Sequence, residues 1–129
     1  MKNITNPKDV FIHTKDIHNQ SSESLMIFYL NSNGEILEQK KIKTNGHEII
    51  FSQAQIFSPT LKNNAKFIIL CHNHPSQKLS PSEDDIKTTK EIIKAGKILG
   101  VPLIDHVIVS QKGYYSIILK SKVLLSAGH

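Results

Sequence analysis

The sequence predicts an α/β sandwich in which helices cover the faces of a mixed β-sheet. Two segments, residues 25–30 and 67–71, are apolar on both alternating faces, as is typical of strands that are covered on each side. A helical segment that ends at Leu99 separates the second of them from another apolar run at 103–109. The 129 residues suffice for one compact domain and are too few for two ordinary ones. We therefore expect residues 1–129 to form a single domain.

The first part of the chain predicts a β-hairpin. Residues 31–34, Asn-Ser-Asn-Gly, supply a turn, and residues 35–43 resume as an amphipathic partner for the strand at 25–30. The first twenty residues are weakly patterned around Val10-Phe11-Ile12. They predict a short lead-in element, which is either a strand or a helix.

A short helix is predicted after the hairpin. Residues 44–46 turn the chain, and residues 49–51 form a short extended piece. Ser52 is placed to cap the N-terminus of a helix that runs toward Asn63. Pro59 lies in the middle of this helix and is expected to kink it.

The strand at 67–71 runs directly into His72-Asn73-His74-Pro75, so polar ligand-type residues stand at the end of a buried strand. A second helix is predicted to start with Ser80 as N-cap, Pro81 at the first helical position and Glu83 completing a capping box. The order of elements places this helix against the sheet.

The second helix is expected to continue to Leu99, with Ile86, Ile93 and Leu99 among its core-facing residues. Gly100 and Pro102 then stop it. The last predicted elements are two strands, at 103–109 and 114–119, on either side of a turn at 111–113.

Composition narrows the classes of function. The net charge is +5, but all 16 basic residues are lysine; proteins that read base sequence use arginine, whose planar fork pairs bidentately with guanine and phosphate. One cysteine excludes an internal disulfide framework and a four-cysteine zinc ribbon.

No apolar stretch is long enough to cross a bilayer or to form a secretory signal, so we expect a cytoplasmic protein without a membrane partner. Four lysines form one stripe on the second helix, read as a solvated face or as a weak polyanion surface: Lys87, Lys90, Lys94 and Lys97.

The residues around the second helix predict a metal site. His72 and His74 are two apart on a strand, so both imidazoles leave the same face. Asp85 follows Ser82 by three residues on the helix, and the two share a helical face. Two neutral imidazoles and one carboxylate leave a fourth position for water, which is typical of a catalytic zinc site and not of a closed structural one.

A hydrolase also needs a base that takes a proton and delivers it to the leaving group. Glu23 stands at the mouth of a buried strand, where partial desolvation would raise its pKa. Glu48, in the next segment, is an equal rival. The spacing by itself does not choose between them.

Three segments together resemble the RadC-type branch of the JAB/MPN metalloenzymes: His72-Asn73-His74-Pro75-Ser76, Pro81-Ser82 with Asp85, and residues 95–108. The JAMM motif of that family reads Glu, then His-x-His-Pro, six residues, Ser, two residues and Asp, and this chain keeps the spacing from Pro75 onward without a gap. The resemblance covers about residues 8–118. It implies a JAB/MPN fold with a cytidine-deaminase-like architecture.

The resemblance also implies a function. It is that of a JAMM-type zinc hydrolase acting on a peptide or isopeptide amide, with a peptide or protein as substrate. His72, His74 and Asp85 would hold the zinc ion. Glu23 would activate water and protonate the leaving amine, since RadC-like chains place the motif glutamate just before such an apolar strand. Ser82 would donate a hydrogen bond to the developing oxyanion.

The chain departs from the family pattern in three places. Gln77 replaces the usual glycine, so the loop over the metal is expected to take another backbone path. Residues 53–55 replace a Pro-Arg-Glu helix start, and the N-terminal helix-hairpin-helix region of full-length relatives is not expected here. The alternative function is a DNA-repair-associated accessory protein without peptidase activity. Whichever function holds, any binding of nucleic acid by this chain is expected to be weak and without base preference. A metal-free scaffold would require lost ligands, and the three ligand residues are present.

The remaining candidates have simpler interpretations. Cys71 directly precedes His72 and points to the opposite face, as a small buried residue would. His106 is either a partner of the metal ligands or a hydrogen-bonded structural histidine. The other histidines lack ligand spacing and are interpreted as surface residues: His13, His18, His47 and His129.

Overall fold

The computed structural model describes residues 2–43 and 51–121. The strands are β1 (Ser24–Leu30), β2 (Ile36–Lys43), β3 (Phe67–Asn73), β4 (Leu103–Ser110) and β5 (Gly113–Ser116). The helices are α1 (Pro7–His13), α2 (Gln53–Phe57), α3 (Thr60–Asn63), α4 (Glu83–Leu99) and α5 (Ile117–Ser121), with a 3-10 turn at Lys15–Ile17.

The five strands form one mixed sheet in the order β2-β1-β3-β4-β5. β1 is antiparallel to both β2 and β3, β3 is parallel to β4, and β4 is antiparallel to β5. The α/β fold with a mixed sheet and the β1–β2 hairpin are confirmed. β1 is buried along its whole length because it is central and covered on both faces, which is why its sequence is apolar at every position from Leu25 onward.

Two hydrophobic clusters cover the sheet, one on each face. We call the first the α4 face; it combines side chains of β1, β3 and β4 with those of α2 and α4, and Tyr29 of β1 donates its buried hydroxyl hydrogen to the Ile56 carbonyl of α2. We call the second the α1 face. Its buried residues are Ile4, Val10, Ile17, Met26, Phe28, Leu30, Ile69, Cys71, Val107 and Val109.

The N-terminal segment is a helix, which settles the choice that the sequence left open. Asn6 caps it by accepting a hydrogen bond from the Asp9 N–H, and a proline stands at the first helical position. Ser52 caps α2 as predicted, in a capping box with Gln55. Pro59 separates α2 from α3 instead of kinking one continuous helix. The turn predicted at 44–46 lies outside the described residues, as does most of the extended piece predicted at 49–51.

The predicted start of α4 was wrong by two residues. Ser82, not Ser80, is the N-cap, and Asp85, not Glu83, completes the capping box. A capping box needs Ser followed three residues later by an acidic residue or an amide. Both Ser80 with Glu83 and Ser82 with Asp85 meet this requirement, so the sequence allowed two possible helix starts. In the folded protein the helix starts at the second of these positions, where Asp85 also contacts His72 and His74 at the end of β3.

Gly96 and Gly100 set how α4 meets the sheet. A Cβ at Gly96 would lie 2.6 Å from the Val101 carbonyl oxygen, so the chain can return this closely only over glycine. Gly100 has a φ of 77° and ends the helix in the left-handed region. Leu99 was predicted to face the core but is 56% exposed, because the turn at Gly100 leaves the last helical residues outside. The residues of α4 that are buried are Thr89, Ile92, Ile93 and Gly96.

The last predicted strand was wrong in its second half. β5 ends at Ser116, and Ile117 begins α5. The Ser116 hydroxyl donates to the buried Asp105 carboxylate at 2.7 and 2.8 Å, and its oxygen accepts from the Leu119 N–H. These bonds turn the apolar run into a helical turn that buries Ile117 and Ile118 against the α4 face.

Candidate metal centre

Three predicted ligand residues meet at the carboxyl end of β3. His72 lies within β3, His74 follows its last residue, and their Nε2 atoms are 2.9 Å apart. Asp85, in the first turn of α4, brings one carboxylate oxygen to 3.1 Å from His74 Nε2 and the other to 3.3 Å from His72 Nε2. One ligand atom from each residue lies within 4.8 Å of the others, so the group could hold a metal ion.

The capping box of α4 positions the carboxylate. The Ser82 N–H donates to Asp85 Oδ2 at 2.8 Å, and the Asp85 N–H donates to Ser82 Oγ at 3.0 Å. In these contacts Ser82 Oγ is an acceptor, so the capping box does not use the hydroxyl hydrogen. The two bonds fix the Asp85 side chain on the side of α4 that faces the histidines.

The lone pair of His74 Nε2 points into this group. His74 Nδ1 lies 2.8 Å from the Lys78 carbonyl oxygen. A carbonyl can only accept, so Nδ1 carries the hydrogen and, in the neutral ring, Nε2 presents a lone pair. The carboxylate of Asp85 is likewise an acceptor. Converging imidazole nitrogen and carboxylate oxygen atoms without a hydrogen between them fit a cation, and this donor set is one that zinc uses.

The charges of the site shift two pKa values. Burial opposes ionisation of Asp85, but the hydrogen bonds that His72 and His74 donate when their Nε2 atoms are protonated outweigh it and hold the pKa of the carboxyl far below its usual range. Burial also opposes the charged form of His74, yet its bonds to Asp85 and to the Lys78 carbonyl, with the charges of Asp85 and Glu23, raise its pKa. The site therefore attracts positive charge.

His106 of β4 contacts the candidate ligand His72, which agrees with one of the two interpretations of its sequence position. His106 Nε2 lies 2.8 Å from His72 Nδ1, and His106 Nδ1 lies 2.7 Å from Thr89 Oγ1. Burial is the main cause that holds the pKa of His106 well below its ordinary value, and the charge of nearby His72 lowers it further. Thr89 was missed from the sequence. Its signal was a position four residues after Asp85, on the same face of α4.

A cavity of about 640 Å³ opens over the three residues. Glu23, just before β1, lines it together with Ser82, so both predicted catalytic side chains face the space that the ligand group borders. The apolar side chains of Leu25 and Phe51 line the same cavity. The rival base Glu48 lies outside the described residues.

The loop between His74 and α4 is held by Gln77. Its φ is 69°, in the left-handed region, so glutamine here keeps a backbone conformation that glycine favours. Its side chain donates to the His18 carbonyl at 3.3 Å and accepts from the Gln111 N–H at 2.7 Å. Gln77 thus has the left-handed backbone that a glycine could also adopt, and the different loop path expected from the sequence stays a prediction.

Two further candidates have clear positions. Cys71 is fully buried on the α1 face, opposite His72, and burial raises the pKa of its thiol to about 12.

The prediction that His18 lies on the surface was wrong. His18 is 8% exposed, stacks on Phe11 and lies 3.3 Å from Thr14 Oγ1. His13 is half-buried, and the other two histidines of that group, His47 and His129, lie outside the described residues.

The fold and the site together define a mixed α/β domain of the JAB/MPN type with a candidate metal centre at the end of a central strand. The family model described as RadC-like JAB domain matches residues 4–123. The chain belongs to the RadC-like JAB domain family.

Curated relatives share the same region. The chain is 35% identical over 125 residues to a UPF0758 protein of Clostridium tetani, covering 95% of this chain and 54% of that protein. It is 35% identical over 120 residues to a UPF0758 protein of Flavobacterium johnsoniae, covering 92% and 52% respectively. The chain thus spans about half the length of the relatives that it matches. Among residues 2–43 and 51–121, the structure contains no helix that is both long and apolar enough to span a bilayer.

Proposed function

We propose that this chain is a zinc-dependent hydrolase of the JAMM type, with a peptide or isopeptide amide as substrate. The observation that carries the proposal is the convergence of His72, His74 and Asp85 beside a cavity that Glu23 also lines. Two imidazoles and one carboxylate match the ligand set of catalytic zinc sites. A zinc ion held there would lower the pKa of water and polarise the scissile carbonyl.

The other roles belong to the side chains around the cavity. Glu23 is half-buried at the mouth of β1, where its carboxylate can take a proton from the attacking water and pass it to the leaving amine. The hydrogen of the Ser82 hydroxyl, which the capping box does not use, can be donated to the oxygen that becomes negative. Leu25 and Phe51 can contact an apolar part of the substrate.

Metal content tests the first half of the proposal. Protein purified without chelator should contain about one zinc ion per chain by elemental analysis, as expected for an open four-coordinate site. Less than about a tenth of that content, unrestored by added zinc, would contradict the proposed ligand set.

A pair of matched glutamate variants tests the second half. Glu23→Gln should retain zinc and lose hydrolysis of a panel of fluorogenic peptides and isopeptide-linked lysines, because the base is not a ligand. Glu48→Gln should retain both. Loss of turnover in Glu48→Gln, with turnover retained in Glu23→Gln, would show that the base is assigned to the wrong residue.

The second candidate function is that of a nucleic-acid-associated accessory protein without peptidase activity, and an exposed lysine stripe favours it. The side chains of the stripe are exposed along α4: Lys87, Lys90, Lys94 and Lys97. Lysine contacts to phosphate carry no base preference and weaken steeply with salt. Titration of two unrelated duplexes should show equal, weak binding that collapses as salt rises to physiological levels. Tight, sequence-selective binding at physiological salt would favour the accessory function over the hydrolase.

A further inference from the structure

Three hydrogen bonds connect the ligand His72 to the backbone of the ligand Asp85. His72 Nδ1 lies 2.8 Å from His106 Nε2, and His106 Nδ1 lies 2.7 Å from Thr89 Oγ1. The Thr89 hydroxyl in turn donates to the Asp85 carbonyl oxygen at 2.7 Å. We call His72, His106 and Thr89, together with that carbonyl, the tautomer relay. All three side chains are buried, so water does not compete for the two bonds that join them.

The carbonyl at the end of the relay sets the direction of every bond in it. A carbonyl oxygen cannot donate, so the single hydroxyl hydrogen of Thr89 points to Asp85. The hydroxyl oxygen must then accept from His106 Nδ1–H. A neutral His106 with hydrogen on Nδ1 carries a lone pair on Nε2. That lone pair accepts from His72 Nδ1–H, which leaves the lone pair of His72 on Nε2.

We propose that His106 and Thr89 are positioning residues that hold His72 in the tautomer required for metal binding. The proposal rests on the metal site of the proposed function, and it explains why the lone pair of His72 points toward that site. The backbone carbonyl of one ligand residue, Asp85, orients the lone pair of another ligand residue, His72. Partners of this kind fix ring orientation and tautomer, and their loss costs about 10–100-fold in metal affinity.

The competing arrangement places the hydrogen of His72 on Nε2 and donates it to Asp85 Oδ1 at 3.3 Å. His106 would then donate from Nε2, and its Nδ1 would need the hydroxyl hydrogen of Thr89. That hydrogen could no longer reach the Asp85 carbonyl, which would face a hydroxyl lone pair at 2.7 Å in a partly buried place. The relay avoids this repulsion between lone pairs, and its His72 bond is shorter, at 2.8 Å.

The tautomers can be read directly by long-range proton–nitrogen NMR on 15N-labelled, metal-free protein, at a pH well above the ordinary imidazole pKa. We expect hydrogen on Nδ1 in both His72 and His106 of the wild type. Hydrogen on Nε2 of His72 would overturn the proposal. This measurement needs neither a variant nor enzymatic activity, so it stands even if no substrate is cleaved.

Two variants of Thr89 provide the matched comparison. Thr89→Ser keeps the hydroxyl and should keep the wild-type tautomers and zinc affinity. Thr89→Val has a similar shape without the hydroxyl, so His106 should populate both tautomers and zinc affinity should fall about 10–100-fold in competition with a chromophoric chelator. A merely structural role would change stability alone. A folded Thr89→Val protein with wild-type tautomers and zinc affinity would overturn the proposal, and if that variant does not fold, the wild-type spectrum decides.

Failure of the relay and failure of the proposed function give different results. If the wild type shows the expected tautomers but binds no added zinc, the relay is supported and the hydrolase proposal fails. If the wild type binds zinc with His72 protonated on Nε2 in the metal-free state, the relay fails and the metal site stands.

Discussion

Cys71 and His72 are adjacent on β3, but their side chains lie on opposite faces of the sheet, in very different surroundings. On the α1 face, the Cys71 thiol lies among aliphatic and aromatic side chains, and burial raises its pKa. On the α4 face, His72 is equally buried, but its two ring nitrogens lie against His74 and His106. A buried polar group is costly unless it is hydrogen-bonded, so the α4 face can hold the imidazole of His72 only because hydrogen-bond partners surround it. The α1 face stabilises the fold without taking part in the site.

The largest effect that would test this comparison is loss of metal binding on the α4 face alone. Asp85→Ala removes a proposed ligand and should lower zinc affinity by more than the roughly 100-fold upper range seen for supporting residues. Asp84→Ala is the matched control, since Asp84 is its exposed neighbour on α4 and lines the same cavity. Zinc affinity measured by chelator competition should separate the two variants. Equal affinities would show that the carboxylate is not a ligand.

The next effect is confined to the α1 face. Phe28 is fully buried there, and Phe28→Ala should lower the free energy of unfolding by about 3–5 kcal/mol through lost contacts and a cavity. Zinc bound per folded molecule should stay unchanged, because Phe28 points away from the site. Urea unfolding and metal analysis of the same samples measure both. Loss of zinc from the folded variant would show that the two faces are coupled.

A smaller effect is expected at Gln77, whose side chain joins the loop of the α4 face to His18 and to the β4–β5 turn. Gln77→Gly and Gln77→Ala both lose these two bonds, but only glycine removes the cost of the left-handed φ. The alanine variant should therefore be less stable than the glycine variant by about 1–2 kcal/mol. Denaturant unfolding compares them. An alanine variant as stable as the glycine variant would contradict the left-handed backbone at this position.

The smallest effect is a pH dependence on the α1 side. Burial lowers the pKa of His18 below its ordinary value of 6.5 in the folded protein. The unfolded chain therefore takes up this proton at a higher pH than the folded protein does. Stability contributed by neutral His18 is present above pH 6.5 and is lost as the pH falls through 6.5 toward the folded-state pKa.

The measurement is the difference in unfolding free energy between the wild type and His18→Gln over a series of pH values. Taking the difference removes the contributions of the other titrating groups. The advantage of the wild type should shrink on acidification within that window. An advantage that grows on acidification would show that His18 is more basic in the folded state than in the unfolded one.

The elements that the sequence predicted well are those with strong local patterns. The apolar runs of β1 and β3 and the Asn-Ser-Asn-Gly turn were confirmed, because burial on both faces and turn geometry are encoded within a few residues. The start of α4 and the end of β5 were wrong where a local signal had two solutions. Ser80 and Ser82 both fit a capping box, and residues 114–119 fit a strand until the Ser116–Asp105 contact ends it.

The sequence by itself determined the class of the sheet and the shared face of His72 and His74, and it predicted the candidate metal ligands, because each depends on residue types at short, regular spacing. Only the tertiary structure decided that Asp85 reaches both histidines, that Gln77 holds the loop from two sides and that Thr89 and His106 complete a relay to His72. These contacts join α4, β3 and β4 across residues far apart in the chain. Their partners are chosen by how α4 packs on the sheet, and no local pattern records that packing.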